Sequence, residues 1–344
     1  MTATATVGPA SATRVTGRIA GLIVAGTAVF VLCLVSLAVG SRDVSPLDAL
    51  AALTDGSAST DATVIREMRL PRTILALCVG AALALGGTIL QGLARNPLAD
   101  PGILGINSGA AVAIVLSAAI LGGMPASAGI WFAFAGAGVA IVVVYSIAAV
   151  GREGATPVKL ALSGAAVMAL CGSITSAIIL GDPDALNELR TWDVGSLAGR
   201  YFPVLLQLLP FFVVGTVAAL FTGRTLNLLS LGDDLARALG LRLGRSRGIL
   251  FVIVAILCGA ATAACGPIVF VGLMVPHFAR LITGPDYRWI LGYSLVLGPL
   301  LVLACDIVGR ILLPAGEIPV GVVIGIIGAP VFILLVRFRR MAQL

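Results

Sequence analysis

The chain has 344 residues, of which 59% are hydrophobic and only 11% charged, and its mean hydropathy is +1.10. Soluble domains average roughly 45–50% apolar and about 25% charged, so a water-soluble globule is excluded. The net charge of +6 sits between apolar runs, where it reports sidedness across a bilayer and gives no reason to expect nucleic acid as a partner.

A bilayer core of about 30 Å takes about 20 apolar residues per helical crossing. Apolar runs bounded by charges and Pro/Gly clusters predict crossings near 19–40, 70–93, 103–122, 128–149, 159–180, 203–221, 290–313 and 318–337. The first run follows Arg14 and Arg18, exceeds a signal-peptide apolar region in length and has no convincing cleavage site, so it is read as a retained crossing. Beyond it, Ser45-Pro46-Leu47-Asp48 has the form of a helix start, with Ser as cap and Pro in the first turn. The run 248–282 would make one helix of about 52 Å, too long for a single crossing. Proline removes an amide donor and glycine permits a turn, so Gly266 and Pro267 are predicted to hinge it into two short helices.

Charge tests that choice. With the hinge the chain crosses ten times, both termini share a side, and that side holds 15 basic residues against 7 on the other. Crossing only once there would give 11 against 11, so the positive-inside rule favours ten transmembrane helices with the N- and C-termini cytoplasmic. The expected organisation is an all-α polytopic membrane protein: a cytoplasmic tail over 1–18, one transmembrane domain over 19–338 with a cytoplasmic loop at 223–247, and a cytoplasmic tail over 339–344. The six cysteines lie in or beside apolar runs with no CxxC pair, as expected of free thiols.

Several chemistries are missing. The single lysine, Lys159, follows Val158, so the chain has no GK[ST] phosphate loop, and any ATP drive must come from a partner. One histidine and no HExxH argue against a metal site, and no cofactor is expected on this chain. In the middle of the spans essentially no ionisable side chain appears except His277 and Asp306, too few for a proton relay. Asp306 stands one helical turn before Arg310 and is expected to pair with it.

The most distinctive string begins at Leu70-Pro71-Arg72, crosses a Gly/Ala-rich span and ends in Gln91-Gly92-Leu93-Ala94-Arg95-Asn96-Pro97-Leu98-Ala99-Asp100-Pro101-Gly102-Ile103-Leu104-Gly105. By physics alone it is a rigid turn between two helices, with Asp100 capping the second. As an ordered string it resembles the permeases of ATP-binding-cassette importers for iron-siderophores, vitamin B12 and haem. Further stretches carry the same resemblance: Trp192 with Gly195-Ser196-Leu197, the segment 231–241, the segment 266–277, and Glu317-Ile318-Pro319-Val320-Gly321 leading to Gly328-Ala329-Pro330.

The resemblance implies the ten-helix type II ABC importer permease fold. Within 223–247, the residues Asp233, Asp234, Leu235, Ala236, Arg237, Ala238, Leu239 and Gly240 form a short polar helix with acids first and a glycine stop. By resemblance it is a coupling helix seated on a separate ATPase subunit, which would hold the ATP-Mg. Arg69 and Arg72 share a helix face, and Arg310 lies near the outer end of another span. They are read either as headgroup anchors or, by resemblance, as receivers of carboxylates from an extracytoplasmic substrate-binding protein. Thr156, Pro157 and Val158 fall where the family has its inner gate, or form an ordinary helix start.

The expected assembly is this chain with an identical or similar second permease subunit, two ATPase subunits and one binding protein in the lipid bilayer. Ferric siderophore is the leading cargo and vitamin B12 or haem the alternatives. A stand-alone ion-coupled carrier, with backbone carbonyls at broken helices holding sodium, and a membrane scaffold are the readings from other classes.

Overall fold

The structure, a computed structural model, describes residues 10–40, 45, 52, 59–122, 126–151, 155–313 and 316–338. Among them there is no strand. In chain order the helices are α1 (Ala10–Ala38), α2 (Thr60–Val64), α3 (Leu70–Ala94), α4 (Ile106–Leu121), α5 (Ala126–Ala149), α6 (Pro157–Gly181), α7 (Pro183–Asp193), α8 (Phe202–Leu220), α9 (Gly223–Ser230), α10 (Asp233–Ala238), α11 (Leu243–Cys265), α12 (Val271–Thr283), α13 (Tyr287–Ile311) and α14 (Val320–Phe338). A π-turn over Ile65–Arg69 joins α2 to α3, and a 3-10 turn over Pro101–Leu104 precedes α4.

Seven of the described helices are long and apolar enough to cross a membrane: α1, the continuous Thr60–Ala94 unit, α5, α6, α8, α11 and α13. The shorter apolar helices α4, α12 and α14 occupy three further predicted crossings. The run 248–282 is divided, with α11 ending at Cys265, Gly266 at φ +79 and α12 opening only at Val271. Most expected spans match within a few residues. The α4 span starts later than expected because Asp100 accepts from the Gly102 amide at 2.8 Å and caps the 3-10 turn, leaving Gly105 as the cap of α4. Most of the expected helix start at 45–48 lies outside the described residues.

Helix α3 is the hub, packed against α1, α8, α9, α11, α12 and α13. Small residues make this possible. Gly80 of α3 meets Gly298 of α13, Gly87 meets Gly272 of α12, and Gly109 of α4 meets Gly136 of α5, each pair backbone to backbone. Without a hydrophobic driving force between helices in lipid, such close approach supplies the dispersion contacts that hold a bundle together. Helices α1 and α6, by contrast, leave most of their surface uncovered.

Candidate functional site

The chemistry gathers at the two ends of the bundle. At one end Asp306, only 1% exposed, bridges two cations. Arg72 donates to it through Nη2 at 2.9 Å and Nε at 3.2 Å, and Arg310 pairs with it from the next helical turn. The third Arg72 nitrogen, Nη1, reaches Glu317 Oε2 at 2.7 Å. Arg310 also donates to the Ser36 carbonyl at 2.9 Å, while Arg69 donates to the Leu37 and Ala38 carbonyls at 2.8 and 2.6 Å. Those carbonyls are the orphan acceptors at the C-terminus of α1, where cations are favoured by the helix dipole. The Ser36 and Thr73 hydroxyls, 2.8 Å apart, complete the seam.

The sequence places Arg69, Arg72 and Arg310 at one mouth, and the structure does bring them together. They are not open hooks, however. Arg69 and Arg310 are buried, and the Arg72 side chain retains 13% exposure. The physical reason is the cost of isolated charge near apolar surface, which draws each guanidinium onto a carboxylate or a helix-end carbonyl. What remains open is a cavity of about 250 Å³ lined by Arg69, Arg72, Arg200, Arg310, Glu317 and Tyr201, among others. Sequence reasoning missed Arg200; its signal was a second basic residue, after Arg190, closing the mainly acidic stretch 182–200.

Three of the distinctive strings meet beside this mouth. The Ser196 amide donates to the Cys265 carbonyl at 2.8 Å and the Gly321 amide to the Gly195 carbonyl at 2.9 Å, so the loop after Trp192, the break at Gly266 and Pro267, and the start of α14 form one knot. Gly195 lies on the Pro267 carbonyl and Gly266 on the Trp192 carbonyl, leaving no room for a side chain at either glycine.

At the opposite end lies α10. The structure divides the eight residues expected to contact an ATPase subunit. Asp234, Leu235, Arg237, Ala238, Leu239 and Gly240 are exposed, whereas Ala236 is buried and Asp233 is turned inward. Asp233 accepts from Arg247 Nη2 at 2.9 and 3.0 Å, and Arg95 pairs with the same carboxylate. Burial alone would push the Asp233 carboxyl up, but the Arg247 and Arg95 guanidiniums outweigh it and hold it below the usual value of 3.8. Leu231, Leu235 and Leu239, spaced four apart, remain 53%, 57% and 60% exposed on a polar segment. Nearby, Asn227 donates to Asp286 at 2.7 Å and accepts from the Tyr287 amide at 2.9 Å, fastening α9 to the start of α13.

Thr156, Pro157 and Val158 open α6 at this same end. Thr156 caps the helix by accepting from the Lys159 amide at 3.4 Å, Pro157 fills the first turn, and Val158 is 69% exposed. Geometrically they make a regular capped helix start. No cluster of three or more His, Cys, Asp or Glu side chains able to hold a metal occurs among the described residues.

Comparison with known proteins places this geometry. The FecCD transport family profile matches residues 28–338. The ferric enterobactin transport system permease protein FepD of Escherichia coli is 45% identical over 303 residues, 88% of this chain and 90% of that protein. The siderophore transport system permease YfiZ of Bacillus subtilis is 40% identical over 83% of this chain and 86% of that protein. A solved chain of a metal-chelate type ABC transporter in an inward-facing conformation superposes with a TM-score of 0.81 at 29% identity, covering 92% of this chain and 98% of that one. The bundle of close-packed apolar helices, its convergent loop strings and these matches agree: the chain belongs to the FecCD transport family of ABC importer permeases, a multi-pass cell-membrane transport subunit and not a catalytic one.

Proposed function

We propose that this permease forms half of the translocation path for ferric siderophores, driven by separate ATPase subunits and supplied by an extracytoplasmic binding protein. The observation that carries the coupling is the exposure of three leucines, Leu235 on the short charged helix α10 and Leu231 and Leu239 on either side of it. Unpartnered apolar side chains on a polar segment are what a protein interface covers. The basic residues around this end support placing it in the cytoplasm, and the seven long and three shorter apolar helices support a reading of ten crossings. The other end then faces outward, and the arginine-lined cavity receives acidic side chains of the binding protein. The uncovered surface of α6, with the candidate gate residues Thr156, Pro157 and Val158 at its cytoplasmic start, meets a second permease across the path.

Ferric siderophore is favoured as cargo because FepD and YfiZ carry that class in their names. Proteoliposomes holding this permease, its ATPase subunit and its binding protein are expected to accumulate radioiron-labelled siderophore only when ATP is supplied. Uphill uptake by the permease alone on a sodium or proton gradient would refute this reading.

A further inference from the structure

The string from Arg95 to Gly105 is a solid object. Asn96 accepts from the Leu98 amide at 2.9 Å, Asp100 accepts from the Gly102 amide at 2.8 Å, and the Ala99, Ile103 and Gly105 amides donate to backbone carbonyls within the same stretch at 3.0–3.1 Å. Pro97 and Pro101 fix two more backbone angles. One end of this object is Arg95, a non-glycine residue in the left-handed region at φ +45, a conformation that L side chains rarely adopt. Its guanidinium holds the Leu229 carbonyl at 2.8 Å and the Asp233 carboxylate. The other end lies across α6: the Ile103 carbonyl touches Gly164 so closely that a Cβ there would collide, and Gly105 packs on Val167.

Asp233 is therefore joined to α6 by an unbroken series of contacts. It leads from the α10 carboxylate to Arg95, along the rigid turn, to Gly164 and down the first two turns of α6 to Thr156, Pro157 and Val158. The second arm of the clamp, Arg247, ties the same carboxylate to α11.

We infer that Asp233 is a positioning residue that transmits movement of α10 through Arg95 and the 96–105 turn to the start of α6, and that it is not itself a surface for the ATPase subunit. The inference rests on the coupling role proposed above for α10. Rigid elements joined by specific contacts can carry a rearrangement between sites, provided both ends bias the same element. Here the two ends are the α10 surface, where closure of the ATPase subunits acts, and the start of α6, which carries the candidate gate residues Thr156, Pro157 and Val158.

The test uses the full transporter in proteoliposomes. With Asp233→Asn, the ATPase subunit is expected to co-purify within about twofold of wild type and to hydrolyse ATP, while uptake falls about tenfold. Asp233→Glu should restore most uptake. Asp234→Asn should behave oppositely, weakening recruitment of the ATPase subunit. As a second readout, a Val158→Cys thiol should change its labelling by an impermeant maleimide when ATP is added, and this response should vanish with Asp233→Asn. If that variant fails to reach the membrane, Arg95→Gly makes the same test, since glycine keeps the left-handed backbone without the guanidinium.

Wild-type uptake by Asp233→Asn, or a Val158→Cys response that persists in it, would overturn the inference. Loss of ATPase recruitment in Asp233→Asn would also overturn it, by making Asp233 a contact residue, while leaving the proposed function standing. Failure of the unaltered permease to recruit any ATPase subunit would sink the proposed function, and the inference with it.

Discussion

Gly80 of α3 and Gly298 of α13 lie so close that a Cβ added at Gly80 would stand 2.6 Å from the Gly298 carbonyl oxygen and equally close to the Pro299 nitrogen. Here the central helix and its most extensive partner touch backbone to backbone. Gly298→Ala forces the two axes apart and is expected to cost about 1–3 kcal/mol, the usual range for overpacking. Gly292→Ala on the same helix meets nothing within 4 Å and should be tolerated. Thermal unfolding in detergent, followed by intrinsic fluorescence, distinguishes them. Equal melting temperatures for the two variants would show that the contact is soft.

Asp306 pairs with both Arg72 and Arg310 while being 1% exposed, so its loss strands Arg310 without a carboxylate in a poorly solvated seam and leaves Arg72 with Glu317 alone. Asp306→Ala should destabilise by about 3–5 kcal/mol, as removal of one partner from a buried ion pair does. The double variant Asp306→Ala with Arg310→Leu removes one stranded charge and should recover part of the loss, because contacting residues do not add. Unfolding of the single and double variants in lipid nanodiscs gives the comparison. No recovery in the double variant would mean that Arg310 is needed chiefly for the α1 carbonyls.

Much of this fold was legible in the chain because hydrophobic run length, charge asymmetry and Pro/Gly punctuation are local signals. The division of 248–282 at Gly266 and Pro267 is an instance, since a 35-residue apolar run has no single-helix solution in a bilayer of ordinary thickness. The directions of side chains were not legible. Asp233 and Asp234 are adjacent acids at a helix start, indistinguishable in sequence, yet one faces Arg95 and Arg247 while the other faces solvent. That difference depends on residues 138 positions away at Arg95 and 14 away at Arg247. Arg72 likewise reads as a surface charge until Glu317 and Asp306, more than 230 positions on, are folded against it.

The Asp233 clamp has a defined pH window. Its carboxyl titrates below the usual 3.8, so ionisation favours the folded arrangement; that contribution is fully present above 3.8 and is lost as pH falls through the lowered value. The melting-temperature difference between wild type and Asp233→Asn should therefore stay constant between about pH 8 and 5, and shrink only in stronger acid. A difference that disappears near neutrality would place the titrating group elsewhere.

Glu317 competes for the group that a docking protein would need. Its Oε2 lies 2.7 Å from Arg72 Nη1, and its side chain is 37% exposed, beside the cavity that Arg72, Arg69 and Arg310 line. An incoming carboxylate must share or displace it. If the cavity receives acidic side chains, Glu317→Gln removes the internal competitor and should tighten binding-protein affinity by up to about fivefold, the worth of a partly exposed ion pair. Arg72→Glu should instead weaken docking, and both effects should fade at high salt because exposed charges are screened. Affinity for the permease complex in nanodiscs, measured at low and high ionic strength, reads both variants. Weaker docking with Glu317→Gln would make Glu317 a contact in its own right, and an unchanged affinity in Arg72→Glu would leave Arg72 with only its structural pairing to Asp306 and Glu317.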